Sequence, residues 1–431
     1  MSNDRVLRVG LLGAGTVGAE VARLMVANQV DLAARAGVGL IVTKISVRDL
    51  NIPRPGIDPS LLTTDSESIV TDPDIDLVIE VMGGIEPARS LILTAMTHGK
   101  AVVTANKALL AKHGAELFHA SDLADVDFYY EAAVAGAIPI LRPLAESLVG
   151  DHVERVMGII NGTTNYILTK MHETGASFEG ALLEAQALGY AEADPTADVD
   201  GFDAAAKAAI LAGLAFHTRV TAADVHREGI SQITSADVAV AKSMNHVIKL
   251  LAIAELTPAD QISVRVHPVL LPRNHPLASV RDAFNAVFVE AESAGELMFY
   301  GRGAGGAPTA SAVLGDVVAV ARHRTGGAVG PRESDYADRA IVPIGQTNTK
   351  YLIRLNVADK SGVLAAIAQA FATENVSIQT VRQTGRGSDA ELIVVTHNAT
   401  EAALAATVNR LSQMDMVTSV DSVIRVEGSP Q

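Results

Sequence analysis

The chain has 431 residues, 48% of them hydrophobic and 19% charged, a composition that suits two or three buried cores and excludes a disordered protein. A formal net charge of −15 argues against nucleic acid or an anionic membrane surface as partner, and the absence of cysteine excludes disulfides, zinc–thiolate sites and thiol nucleophiles. The first apolar run, residues 6–12, is too short for a signal peptide, and no run of about 18 apolar residues is present, so a cytoplasmic enzyme or sensor is expected.

Residues 6–12 read as a buried strand that passes directly into Gly13-Ala14-Gly15-Thr16-Val17-Gly18, and a helix comes next with Val17, Val21, Leu24 and Met25 on its apolar face. In this strand–turn–helix setting G-x-G-x-x-G is a dinucleotide signature. Gly13 permits the tight turn, Gly15 lets a pyrophosphate reach the backbone, Gly18 lets helix and strand pack closely, and the helix start offers unpaired N–H groups. A second strand, residues 40–47, ends in Arg48-Asp49. The acid suits a ribose diol and the arginine a 2′-phosphate, which favours NADP and leaves NAD as the alternative. A solvated strand end is the plainer reading of Arg48. Strand-like runs at 75–81, 101–104 and 127–130 alternate with helical stretches, so the sheet is parallel and binds ligands at its carboxyl edge. Ala105-Asn106-Lys107 lies at that edge, which puts Lys107 near a nicotinamide or a substrate carboxylate unless it is an ordinary surface lysine. Glu131 and the small-residue loop through Val134, Gly136 and Ile138 offer carboxylate and carbonyl oxygens of the kind a hard cation takes.

Residues 153–160 form the next predicted strand, and Asn161-Gly162-Thr163-Thr164-Asn165 opens a helix, either capping it or binding a carboxylate. The rest of the chain is organised around the stretch 189–216. Its first half is acidic, with Glu192, Asp194, Asp198, Asp200 and Asp203, and its second half is a helix of Ala, Ile, Leu and Phe that carries Lys207. Asp203 and Lys207 stand four residues apart on one helix face. Such pairs are commonly surface ion pairs worth ~0.3–0.5 kcal/mol. Here the helix offers the solvent no polar face, and an acid and an amine at the mouth of a buried helix suit proton transfer. Helical periods are also expected at 178–188 and 236–255, and strands at 262–271, 286–291 and 297–300. This middle part is therefore α+β, with enough edge and apolar surface for self-association. Residues 301–309, rich in glycine and ending in a Pro-started helix, are expected to be a mobile loop that closes over a cofactor.

These motifs, in this order over residues 1 to about 325, resemble homoserine dehydrogenase. The resemblance implies reversible oxidation of L-homoserine to L-aspartate 4-semialdehyde with NAD or NADP, in threonine and methionine biosynthesis. It makes Lys207 the proton carrier, with Glu192 and Asp203 holding the substrate's amino and hydroxyl groups. By the same resemblance Thr16, Val17, Arg48, Lys107, Gly189 and Gly306 contact the cofactor. Glu131, Val134, Gly136 and Ile138 match the family's monovalent-cation loop, with sodium the expected ion. A homodimer or homotetramer is implied.

After a linker, a second pattern begins. Strands at 351–357, 376–383, 391–396 and 417–426 and helices at 362–374 and 401–414 give βαββαβ, a ferredoxin-like unit. With Asp359-Lys360-Ser361-Gly362 at its first turn and Asn375 after its helix, it resembles an ACT domain, an amino-acid-sensing module. The expected fold class is thus α/β and α+β: a Rossmann-like domain over 1–140, a catalytic and oligomerisation domain over 141–325, a linker over 326–347 and an ACT domain over 348–428. The open edge strands of the last unit are expected to pair with a second copy. L-threonine is the expected effector there, and truncation after Arg324 is expected to leave an active, insensitive enzyme. Aspartate-semialdehyde dehydrogenase is excluded as a rival because it needs a catalytic cysteine. A non-catalytic sensor is disfavoured by the intact Glu192, Asp203 and Lys207.

Overall fold

In the computed structural model, which describes residues 6–332, 336–386 and 389–428, Val6–Leu12 pairs in parallel with Gly39–Ser46 on one side and Leu77–Glu80 on the other. Leu62–Thr63, Ala101–Thr104 and Phe128–Tyr129 complete a six-stranded sheet whose order reverses beside Val6–Leu12. The side chains explain why it is buried on both sides. Leu7, Val9, Leu11, Leu77, Ile79 and Val103 enter one apolar cluster, while Leu12, Val78 and Val102 enter another. Strands apolar on both faces are stable only when helices cover both. Each fully buried Val, Leu or Ile is worth about 1.5–3 kcal/mol. The first cluster also takes in Ala310, Val313, Val317, Val320 and Ala321 of the helix Gly306–Gly326. That helix packs on Thr16–Ala27, although nearly 300 residues of chain lie between them.

This sheet lies in a compact unit formed by residues 1–162, 206–225 and 283–338. The same unit holds an antiparallel set in which Phe284–Ala291 runs between Val153–Ile159 and Gly295–Arg302. A second unit comprises residues 163–205, 226–282 and 339–431.

In the second unit the helix expected over 236–255 is half strand. A helix spans Ser235–Ser243, Asn245 turns the chain with φ 59°, and His246–Leu256 pairs antiparallel with Ile262–Pro272 over its whole length. Most of His246–Leu256 is buried at successive positions. An unbroken apolar run carries no period to separate strand from helix. The β-branched Val247, Ile248 and Ile253, and a partner strand close in sequence, decide the outcome.

The C-terminal unit has the expected βαββαβ order: Tyr351–Ala358, Val363–Thr373, Ile378–Arg386, Asp389–Thr396, Glu401–Ser412 and Val417–Val426. Its sheet runs Val417–Val426, Tyr351–Ala358, Asp389–Thr396, Ile378–Arg386, and every neighbouring pair is antiparallel. Ile353, Leu355 and Val357 alternate into a core with Ile367, Phe371, Leu404 and Leu411 from the two helices. Gly387, in the predicted turn of this unit, and linker residues 333–335 lie outside the described residues.

One edge of this sheet differs from the expectation of pairing with a second copy. Val417–Val426 pairs in parallel with Ile262–Pro272 of the same chain, at Val269 with Arg425 and Leu270 with Val426. An ion cluster fastens the junction, buried at Arg425 and Glu401 and partly exposed at Glu228. Arg425 donates to both oxygens of Glu228, at 2.7 and 2.8 Å, and to both oxygens of Glu401, each at 2.8 Å. Burial alone pushes the Glu228 carboxyl up, but hydrogen bonds from His226 and Arg425 outweigh it and hold the group well below the usual carboxylate range. Glu401 is likewise lowered, burial being overcome by Arg425 and by the hydroxyls of Thr349 and Tyr351. Among the described residues no helix is long and apolar enough to cross a membrane.

Candidate active site

The turn after the first strand is shaped for a dinucleotide. Gly13 has φ 102° and donates its N–H to the Ser46 carbonyl at 3.0 Å. A Cβ on Gly18 would lie 2.0 Å from the Gly13 oxygen, so only glycine lets this helix start so close to the turn. Gly15 has nothing within 4 Å of where its Cβ would be, which leaves room for a ligand at the backbone. The helix Thr16–Ala27 begins with no side-chain cap and no acid in its first turn. Its first N–H groups and positive dipole end are therefore available to phosphate. Gly306 lies against this start, where a Cβ would come 3.0 Å from the Thr16 oxygen. Arg48 is exposed just past the end of Gly39–Ser46.

A cleft of about 240 Å³ opens beside Val17, and its walls include Lys107, Gly136, Lys207, Gly303 and Thr309. Lys107 is the first residue of the helix Lys107–Ala124, which Asn106 caps by accepting the N–H of Leu109 at 3.2 Å. The amide of Asn106 also donates to the Gly84 carbonyl at 2.7 Å, tying together two strand ends at the carboxyl edge. Lys207 is only 8% exposed, and its ammonium donates to the carbonyl of Ile160 at 2.8 Å. The helix Phe202–Phe216 thus buries the stem of Lys207 and brings its nitrogen to the cleft.

In the loop over 131–138 the Glu131 carboxylate is held by main-chain donors: one oxygen accepts the N–H groups of Ile140 and Leu141 at 2.6 and 2.9 Å, and the other accepts that of Arg142 at 2.8 Å. A carboxylate so occupied has little left to offer a metal, and the main-chain carbonyls of Glu131, Val134, Gly136 and Ile138 remain as the oxygen donors. Among the described residues no group of three or more His, Asp or Glu side chains forms a metal site. Beneath this loop Asp316 is fully buried and accepts the Glu131 N–H at 2.8 Å, and burial pushes its carboxyl well above the usual range.

The glycine-rich stretch 301–309 joins the end of a strand to the start of a helix. Gly301 and Arg302 end the strand Gly295–Arg302, the Ala137 N–H donates to the Arg302 carbonyl at 3.1 Å, and the helix starts at Gly306 with Pro308 in its first turn. A Cβ on Gly136 would lie 2.4 Å from the Gly303 oxygen, so two backbones meet here and small residues are compulsory.

Glu192, Asp203 and Gly189 belong to the second unit. Glu192 is exposed, Asp203 is partly buried in the first turn of the helix that carries Lys207, and Gly189 has φ 76°. Two members of the 161–165 motif are structural. The Thr163 hydroxyl donates to the Tyr190 carbonyl at 2.6 Å, and the Asn165 amide donates to the Asp282 carbonyl at 2.9 Å.

Glu80 escaped the sequence reading. It is fully buried at the end of Leu77–Glu80, where it accepts the N–H groups of Met82 and Gly83 at 2.8 and 3.1 Å and the Thr104 hydroxyl at 2.6 Å. It therefore sets the turn on one side of the cleft and the strand end that precedes Asn106 and Lys107. An acid inside the otherwise apolar run of residues 77–81 was the available signal.

The sequence pattern described as homoserine dehydrogenase, NAD binding domain, matches residues 13–131, the homoserine dehydrogenase pattern matches 139–318, and the ACT domain pattern matches 351–415. The chain is 55% identical to a homoserine dehydrogenase of Mycobacterium tuberculosis over 437 residues, covering 99% of each. It is 55% identical to that of Corynebacterium glutamicum over 423 residues, covering 97% of this chain and 95% of the relative. A homoserine dehydrogenase structure from Thiobacillus denitrificans superimposes with a TM-score of 0.94 at 40% identity, covering 98% of both chains. A hyperthermophilic archaeal homoserine dehydrogenase in complex with NADPH gives a TM-score of 0.64 at 26% identity and covers 76% of this chain and 99% of its own. With a dinucleotide turn, a lysine-bearing cleft and matched relatives along its whole length, the chain belongs to the homoserine dehydrogenase family of NAD(P)-dependent oxidoreductases.

Proposed function

We propose that Lys207 is the acid–base group in the interconversion of L-homoserine and L-aspartate 4-semialdehyde. The observation that carries this is the cleft itself, where the nearly buried Lys207 shares a wall with Lys107 and opens beside the dinucleotide turn. The bound nicotinamide supplies a hydride acceptor or donor. In the oxidation direction the unprotonated Lys207 amine takes the hydroxyl proton as hydride leaves the carbinol carbon. The carbonyl of Ile160, which already accepts from Lys207, orients the nitrogen throughout. Glu192 and Asp203 hold the amino and hydroxyl groups of the substrate. Gly13, Ala14, Gly15, Thr16, Val17, Gly18, Lys107, Gly189 and Gly306 form the cofactor site. Following reduced-cofactor absorbance with homoserine under each cofactor tests the reading, and a protein that binds cofactor without turnover would overturn it.

NADP is the preferred cofactor on this reading, with Arg48 as the clamp for its 2′-phosphate. The NADPH complex of the archaeal relative supports the choice. A charge-assisted hydrogen bond is worth about 1.5–3 kcal/mol, so Arg48→Ala is expected to raise KM for NADP at least about tenfold. KM for NAD is expected to stay unchanged, and equal effects on both would reduce Arg48 to a support of the fold. A monovalent cation, sodium by preference, sits on the main-chain oxygens of Glu131, Val134, Gly136 and Ile138. Its part is to order that loop. Neutral carbonyl donors suit a single positive charge better than a double one.

The enzyme serves both threonine and methionine synthesis, works in the cytoplasm as a homodimer or homotetramer, and divides its labour at the boundaries 1–140, 141–325 and 348–428. L-threonine binds the C-terminal unit near Asp359, Gly362 and Asn375, where Gly362 and Asn375 have φ 91° and 56° and form tight turns. Because Arg425 and Val417–Val426 are tied to Glu228 and Ile262–Pro272, truncation after Arg324 would also strip a buried junction. A point substitution is the cleaner test. Asp359→Ala is expected to raise the threonine concentration for half-inhibition by ~5–150-fold, the usual range of coupling, with kcat intact. Threonine that never alters the full chain, or that merely competes with homoserine, would refute the assignment.

A further inference from the structure

A second cleft, of about 520 Å³, lies within the second unit and has no part in the chemistry above. Four cationic side chains line it, Lys242, Lys249, Arg273 and Arg281, against the single carboxylate of Glu173. Glu173 is already engaged by Arg281, at 3.6 Å. This concentration of positive charge occurs in a chain whose net charge is −15.

The cationic groups are held in place by a frame that leaves donors over. Lys249 is 4% exposed, and its ammonium donates to Asn165 Oδ1 at 2.8 Å and to the Val280 carbonyl at 2.5 Å. Arg273 contacts His172 Nε2 at 2.9 Å. A guanidinium can only donate, so Nε2 must be the acceptor of a neutral imidazole, and the ring proton is on Nδ1. That Nδ1 is buried and has no hydrogen-bond partner among the described residues. Thr169, 5% exposed and also in the lining, likewise has a buried hydroxyl without a partner. Buried donors without acceptors are destabilising, which marks a place where acceptors are missing. The cations also act on one another. Burial, then the charges of Lys242 and Arg273, brings His172 down to about 4, and burial with Arg281 brings Lys249 down to about 7.

We infer that this cleft binds a small phosphorylated metabolite through Lys242, Lys249, Arg273 and Arg281. The site needs an anion with more than one charge and with acceptors on several sides. A phosphate group carries up to two charges and at least three acceptor oxygens, and arginine forks match it. The volume exceeds what a bare phosphate fills and falls within the ~300–1,000 Å³ of small-molecule sites, so the phosphate carries an organic part.

The test is a calorimetric titration of the full chain, saturated with NADP so that its dinucleotide site is filled, with glycerol phosphate, inorganic phosphate, malonate and chloride at matched ionic strength. Glycerol phosphate is expected to bind most tightly and chloride not at all. Arg273→Ala/Arg281→Ala and, separately, Lys242→Ala are expected to weaken glycerol phosphate binding at least about tenfold, since each removes charged hydrogen bonds worth ~1.5–3 kcal/mol. Both variants alter exposed side chains, and unchanged kcat would show that they fold. Equal heats for chloride and glycerol phosphate, or equal affinities in wild type and variants, would overturn the proposal. So would tighter binding of malonate, which would make the ligand a dicarboxylate. A variant that loses oligomer mass while keeping its phosphate affinity would overturn it as well, because the cations would then belong to a second copy of the chain.

Discussion

Lys207→Ala is expected to lose ~10²–10⁴ in kcat, the usual contribution of a positioned acid–base group, while still binding cofactor. The substitution removes the ammonium that donates to the Ile160 carbonyl, so that carbonyl needs a water in the cleft as its new donor. Lys207→Arg keeps a charge and a donor but has no proton to exchange near neutral pH, and it should be nearly as inactive. Cofactor titration by fluorescence separates the two roles. If either variant kept more than about half its activity, proton transfer at Lys207 would be excluded, since removing a true acid–base group cannot cost so little.

The largest effect on stability is expected at Arg425. Replacing it by alanine leaves Glu401, itself 5% exposed, and much of Glu228 without their cation. Breaking one side of a buried ion pair costs about 3–5 kcal/mol. Urea unfolding should show the loss as a lower midpoint with little change in slope. The lowered carboxyls also set the pH dependence. Groups whose folded pKa lies below the unfolded value of about 4.3 stabilise fully above that value, and the contribution fades as pH falls through the folded pKa. Wild type should therefore weaken below roughly pH 4.3. In the variant His226 at Glu228 and the Thr349 and Tyr351 hydroxyls at Glu401 are left to oppose burial, so both carboxyls rise and the loss of stability on acidification should be smaller than in wild type. A midpoint within about 0.5 kcal/mol of wild type, the range of ordinary surface changes, would show that the cluster contributes no net stability.

Local chemistry was the most legible part of the sequence. Gly13 to Gly18 announced a dinucleotide turn because each glycine there answers a separate steric demand. The apolar run after Asn245 had no period, so only its partner Ile262–Pro272 could make it a strand. One sequence cannot show that three N–H groups from Ile140, Leu141 and Arg142 converge on the Glu131 carboxylate. Arg425 and Glu228 lie nearly 200 residues apart, and no local pattern reports such a pair. The lysine of the cleft was legible for the opposite reason: a charge in an apolar helix is out of place wherever the chain folds.

The helix Gly306–Gly326 has a consequence for how the chain is made. Because Ala310, Val313, Val317, Val320 and Ala321 complete the apolar face shared with Leu7, Val9 and Leu11, the nucleotide-binding half cannot close when its own last strand leaves the ribosome. It must wait for residue 321, with one flank of its sheet covered only in part by residues such as Val21, Met25 and Leu32. At ~5–20 residues per second that interval lasts roughly ten to forty seconds, during which the nascent chain presents sticky surface to chaperones and to neighbouring ribosomes.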